Sequence, residues 1–229
     1  YAARAGIDAE VYVPADAKTS KLRAIERAGA DLVRVEGSRA DVTAACIEAV
    51  EAGEGWYASH AWNPAFFAGT ATFGLEVATQ RGWDVPDAVV LPVGHGTLLL
   101  GAYRGFRALL DAGWIDRIPR LLGVQAAGYA PLVADGEMAS DNDAADGIHI
   151  AHPARDGEIR EAIEATGGDV LAVGETATRA SLDRLHRAGF YVEPTCAVAP
   201  AALERFQEQG ILAPGADVVV ALSGSGLKT

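Results

Sequence analysis

Residues 87–101 read DAVVLPVGHGTLLLG. An apolar, β-branched run from 87 to 93 has the length of a strand buried on both faces. Gly94-His95-Gly96-Thr97 then turns the chain, because glycine adopts backbone conformations that a Cβ forbids. An apolar, helically spaced segment follows at once and continues from 97 to about 112. A strand that runs through a glycine turn straight into a helix opens a βα unit, and units of this kind build sheets with parallel strands.

The same alternation extends in both directions. Upstream, 9–14 (AEVYVP) and 31–36 (DLVRVE) read as strands. Between them Leu22, Ile25 and Ala28 keep helical spacing before Gly29. Asp41 is expected to cap a helix over 42–52 that closes at Gly53, and 56–58 (WYA) to form a third short strand. Pro64 suits the first turn of a long helix over 65–81 ending at Gly82. Downstream, 120–125 is a strand and 127–157 is irregular. Helices are expected at 158–166, 175–188 and 196–209, and strands at 169–173, 190–193 and 217–222. The break in style at SHAWNP (59–64) divides the chain into a small α/β lobe, 1–60, and a larger one, 61–229. Ligands of such folds sit at the C-terminal ends of parallel strands.

The turn after the first quoted strand is suited to an anion. N–H groups in the first turn of a helix have no intrahelical acceptor, and the helix dipole adds favourable charge. Thr97 adds a hydroxyl. The dinucleotide fingerprint GxGxxG is broken at Leu99, and neither a Walker lysine nor GxSxG is present. A plain tight turn is the competing reading. His95 is of a type that serves as a base, but a residue whose backbone lines the turn while its side chain packs aside is the reading adopted here.

The chain has 229 residues with a net charge of −12, which opposes wrapping nucleic acid or docking on anionic lipid. Its apolar runs are too short to span a membrane. Two cysteines, Cys46 and Cys196, cannot form a disulfide framework and fit a reducing cytoplasm. Only Lys18, Lys21 and Lys228 are lysines. Few lysines and many carboxylates fit either a halophilic source or an ordinary acidic surface.

Several segments taken together resemble one family: VPADAKTSKLRAIERAGADLVRVEG (13–37), YASHAWNPAFFAGTATFGLEVATQRGWDVPDAVVLPVGHGTLLLGAYRGF (57–106), PRLLGVQAAGYAPL (119–132), DGIHIAHP (146–153), FYVEPTCAVAPAAL (190–203) and VVVALSGSGLKT (218–229). In order, and over essentially the whole chain, they are similar to the threonine synthases, within the fold-type II (tryptophan synthase β-like) enzymes that use pyridoxal 5′-phosphate. The resemblance implies an α/β fold of two lobes, each a parallel-type sheet flanked by helices. It implies that Gly94, His95, Gly96, Thr97 and Leu98 cradle the cofactor phosphate through backbone N–H groups. The family often has Gly-Asn-Gly-Gly or Gly-Gly-Gly-Thr there, so His95 is a departure. Gly147 and Ile148 match backbone that passes the cofactor ring, and Glu193 lies in the Glu-Pro-x-Ser-Ala stretch near the pocket, with Cys196 in place of the serine. Ser223 matches the hydroxyl that hydrogen-bonds the pyridine nitrogen.

The family's Schiff-base lysine sits in a Ser-Phe-Lys-Asp-Arg stretch that is absent here, as is its Ser-Gly-Asn loop. No catalytic residue is therefore assigned, and the 229 residues are expected to be the C-terminal part of a longer enzyme. The parent activity implied is conversion of O-phosphohomoserine and water to threonine and phosphate, by a cytoplasmic homodimer. Three alternatives stand beside it: a serine/threonine dehydratase or cysteine synthase-like lyase, a non-catalytic binding protein of the same fold, and a nucleotide-binding Rossmann protein. No metal is expected at His149-x-x-His152, which lacks further ligands. Cys196 is expected to be a small buried hydrophobe. Trp56, Trp62, Trp83 and Trp114 are expected in the core or between lobes.

Overall fold

A computed structural model describes residues 1–17, 19–133 and 141–228. It divides into two compact units, Tyr1–Ser59 and His60–Thr229. In the first, α1 (Ala2–Ala5) precedes β1 (Glu10–Pro14), α2 (Thr19–Arg27), β2 (Asp31–Val35) and α3 (Arg39–Glu51). β1 and β2 pair in parallel, with Tyr12 opposite Val33. Ser38, not Asp41, caps α3. Its hydroxyl accepts the Asp41 N–H, while the Asp41 carboxylate accepts the Ser38 N–H at 2.6 Å, a reciprocal capping box. Residues 56–58 form no strand: Trp56 is 73% exposed and the segment pairs with neither β1 nor β2. Val13 and Leu22 are the buried apolar side chains among this unit's described residues.

The second unit contains α4 (Phe66–Gln80), β3 (Ala88–Pro92), α5 (Thr97–Asp111), β4 (Arg120–Ala126), α6 (Asp156–Ala165), β5 (Asp169–Val173), α7 (Glu175–Arg187), α8 (Pro194–Ala201), α9 (Leu203–Glu208) and β6 (Val218–Val220). Its sheet has the order β5-β4-β3-β6, with every pair parallel. All of β3 is buried, as its unbroken apolar run requires. Alternate strand residues feed two cores. Val89, Leu91 and Leu121 pack with Leu99, Phe106 and Ile159 from α5 and α6. Val90, Leu122 and Val124 pack on the opposite face with Val198 and Phe206 from α8 and α9.

Three further expectations fail. Residues 190–193 make only an isolated antiparallel bridge, Val192 to Ser225, because Pro194 starts α8 at once. The helix expected over 196–209 starts earlier and divides at Ala202, because Pro200 has no N–H to donate back along the helix. All four tryptophans are exposed, Trp83 and Trp114 covering each other with ring centroids 4.4 Å apart. Pro64 precedes α4, whose N-cap is Ala65.

Candidate functional site

The strand order places one crevice before any chemistry is considered. From β3 the chain builds β4 and β5 to one side, and β6 then lies on the other side of β3. The switch point is at the carboxyl ends of β3 and β6, where the connections leave a gap. Beyond β3, Val93 N–H still donates to Val124 C=O at 2.8 Å. Gly96 then takes φ 73° and ψ 10° as the N-cap of α5, with no side chain capping the helix. The first helical bond runs from Leu100 N–H to Gly96 C=O at 2.9 Å. The N–H groups of residues 94 to 99 therefore find no acceptor among the described residues. Free donors of this kind, backed by the dipole of a fifteen-residue helix, suit an anion.

Two more segments close on this turn. A 3-10 segment, Asp143–Ile148, presses on Gly94: a Cβ there would lie 3.2 Å from Ile148 Cα. Gly147 N–H donates to Thr195 Oγ1 at 3.2 Å, and a Cβ on Gly147 would come within 2.8 Å of that oxygen. Glu193 caps α8, and its N–H donates to Gly224 C=O at 3.1 Å. Cys196 is fully buried, yet its sulfur is a hydrogen-bonding hub. Sγ accepts the Gly224 N–H at 2.7 Å, lies 3.2 Å from Gly224 C=O and 3.6 Å from the hydroxyl of exposed Ser223. Contacts thus run from Gly94 through Ile148, Gly147 and Thr195 to Glu193, Gly224 and Ser223.

His95 is half-buried, and its Nδ1 has no hydrogen-bond partner among the described residues. Burial, and secondarily the charge of His60, lower its pKa below the ordinary 6.5. The His60 ring stands edge-on, 5.5 Å away at 74°. Sequence reasoning missed what holds His60 there. Arg155 donates to Ala61 C=O at 2.8 Å and Trp62 C=O at 2.6 Å, and with Arg104 it lies over the Phe67 ring at 4.9 and 4.3 Å. His149 stacks on Tyr129 at 4.2 Å, and its Nε2 meets Asn142 C=O at 2.7 Å. His152 is exposed, and no group of three or more metal-ligating side chains occurs among the described residues.

A hollow of about 740 Å³ lies in the first unit, but Asp8, Glu10, Asp31 and Glu54 line it, which disfavours an anion. Lys18 lies outside the described residues. Lys21 falls on α2 and Lys228 in the closing 3-10 turn, Gly226–Lys228.

A family model described as pyridoxal-phosphate dependent enzyme matches residues 1–224. The chain belongs to that family. The threonine synthase of Mycobacterium tuberculosis is 31% identical over 234 residues, which take in 100% of this chain and 64% of the relative. The threonine synthase of Methanosarcina acetivorans is 30% identical over 238 residues, 100% of this chain and 58% of the relative. The chain thus spans about 64% or less of the length of these relatives. Serine racemase from Dictyostelium discoideum superposes with a TM-score of 0.76 at 22% identity, covering 98% of this chain and 70% of that one. Threonine deaminase isoform 2 from Solanum lycopersicum gives 0.78 at 20% identity, covering 97% and 60%. These structures establish the fold-type II architecture.

Family members depend on pyridoxal phosphate, and the residues at the switch point fit its demands. Free N–H groups at 94–99 suit a phosphate. Gly94 and Gly147, lacking a Cβ, let Ile148 and Thr195 pack closely against them, and Ser223 offers a neutral hydroxyl shortly after β6.

Proposed function

We propose that this chain carries the cofactor-holding part of a threonine synthase, which converts O-phosphohomoserine and water to threonine and phosphate. One observation carries the reading: relatives from bacteria and archaea, 29–32% identical over the whole of this chain, bear that name. The resemblance implies the division of labour, and the free N–H groups of the turn support it. N–H groups of Gly94, His95, Gly96, Thr97 and Leu98, with the α5 dipole, hold the cofactor phosphate. The Gly147–Ile148 backbone passes the ring, as the resemblance implies, while the hydrogen bonds of Glu193 and Cys196 to Gly224 fix the loop that would present Ser223 to the ring nitrogen. A hydroxyl there hydrogen-bonds the nitrogen without a full positive charge, which suits replacement chemistry. Bound there, pyridoxal phosphate supplies an electron sink for loss of phosphate from the γ carbon and addition of water at the β carbon. The lysine of that chemistry belongs to a sequence context this chain does not contain.

Solved neighbours named serine racemase and threonine deaminase favour the second reading, a dehydratase-type lyase. The two free cysteines support a cytoplasmic location, and the homodimer rests on the resemblance alone. Among the described residues no helix is long and apolar enough to cross a membrane.

The full-length gene product, loaded with pyridoxal phosphate, separates these readings. Threonine and inorganic phosphate released in equal amounts from O-phosphohomoserine support the proposal. Release of 2-oxobutanoate and ammonia from threonine, with O-phosphohomoserine untouched, overturns it in favour of the dehydratase. Retention of cofactor with no turnover of either substrate points to the binding protein.

A further inference from the structure

The hollow of about 740 Å³ in the first unit has no part in the function just described. Glu10 and Tyr12 of β1 line it, together with Trp56 and Ala58, Ala5 of α1 and Ala49 of α3. One wall is thus a strand edge. β1 pairs with β2 alone. Asp31 N–H donates to Ala9 C=O and Ala15 N–H to Val35 C=O, both at 2.9 Å, so the odd-numbered residues of this stretch turn their backbone groups toward β2. Backbone groups alternate in direction along a strand. Those of Glu10 and Tyr12 therefore point the other way, to an edge that carries no strand among the described residues.

Two further observations belong to the same hollow. Residues 56–58 have strand composition but pair with neither β1 nor β2. Val13 and Leu22 are the buried apolar side chains among this unit's described residues, too few for a core that stands by itself.

We propose that the hollow seats a β-strand supplied by the stretch of the full-length protein that runs into Tyr1. The strand lies parallel to β1, between β1 and 56–58, and α1 is the crossover that joins it to β1. The inference uses the length of the relatives and not the reaction they catalyse. Their matches take in all of this chain, yet more than a third of each relative lies outside the match. Tyr1 itself lines the hollow, so chain running into it arrives at that wall. Main-chain hydrogen bonds are on offer from Glu10 and Tyr12 on one side and from 56–58 on the other. The small side chains of Ala5 and Ala49 leave room for β-branched residues on the inserted strand. The resulting order is β2, β1, inserted strand, 56–58. It repeats the winding of the second unit, where β3 comes first, β4 and β5 build to one side and β6 pairs on the other.

The test needs no cofactor. Amide exchange of the full-length protein is read at single residues by fragmentation mass spectrometry, with Val11 and Val13, whose N–H groups face β2, as internal references. Maleimide labelling then compares the full-length protein with the 229-residue chain. Cys46 lines the hollow and is half-buried, whereas fully buried Cys196 reports unfolding. Glu10 and Tyr12 should exchange as slowly as Val11 and Val13, and Cys46 should label more slowly in the full-length protein by about an order of magnitude or more. Fast exchange at Glu10 and Tyr12 beside slow exchange at Val11 and Val13 overturns the proposal. So does protection that vanishes on dilution, which places a second copy of the chain in the hollow. Labelling of Cys196 shows that the 229-residue chain is unfolded, and the exchange pattern of the full-length protein then decides alone.

Discussion

Gly96 shows how one atom sets the cradle. Its φ of 73° is in the region where a Cβ is strained, and a Cβ there would collide with Ile159, which is fully buried in the core. Gly96→Ala should destabilise the fold by about 1–3 kcal/mol, read from urea denaturation, and weaken pyridoxal phosphate binding. Cys196 makes a different demand. The sequence gives a cysteine the look of a small hydrophobe, and burial agrees, but its sulfur accepts the Gly224 N–H across twenty-eight positions of sequence. Cys196→Ala leaves that N–H unpaired and should cost about 1–3 kcal/mol, with faster amide exchange at Gly224. Cys196→Ser keeps an acceptor and should lose less. For His95 the sign follows from its lowered pKa. The unfolded chain binds more protons just below pH 6.5, so stability is fully present above that value and falls as the pH drops through the window toward the folded pKa. Denaturation midpoints should fall as the pH drops below about 6.5, and the fall should be shallower in His95→Asn.

At the scale of elements, α4 and α5 cross more closely than ordinary side chains permit. A Cβ on Gly101 would strike Thr70, one on Gly105 would strike the carbonyl oxygen of Ala71, and one on Gly74 would come within 3.0 Å of Ala102 C=O. A backbone atom cannot move aside as a flexible side chain can. Gly105→Ala should therefore separate the helices and lower stability by about 1–3 kcal/mol, whereas Gly157→Ala, with open space around its Cβ, should change it little. Both are checked by thermal denaturation. Long elements were legible in the sequence for the same physical reason that they are stable. The apolar run of β3 has no reading except burial on two faces, and the spacing of α5 buries one side against the sheet. What was not legible depended on partners far along the chain. The three residues at 56–58 have strand composition but no neighbouring edge to pair with, and Pro194 cuts short 190–193. The glycine signal locates the turn because its cause is local, a positive φ at Gly96. The Arg155 clamp on Ala61 and Trp62 joins residues more than ninety positions apart, which no spacing rule reveals.

Across the whole molecule the groups that would hold a cofactor and the group that would bind it covalently are separable. The second unit brings together a helix-start turn with free N–H groups, closely packed glycines and a hydroxyl, all by packing and hydrogen bonds within residues 60–229. Covalent capture needs an amine in a setting that keeps it unprotonated and aimed at the aldehyde. The three lysines of this chain are Lys18, Lys21 and Lys228, and the resemblance implies that none stands at such a position. We therefore expect any binding to occur without stoichiometric covalent capture. The chain incubated with pyridoxal phosphate, reduced with borohydride, digested and mapped by mass spectrometry should carry the label at low occupancy spread over its amines. Dialysis before reduction should remove the bound cofactor. Near-complete labelling of a single lysine, suppressed by inorganic phosphate only when the turn is intact, would instead show that this chain supplies its own Schiff-base residue and that its chemistry is not divided as the sequence resemblance implies.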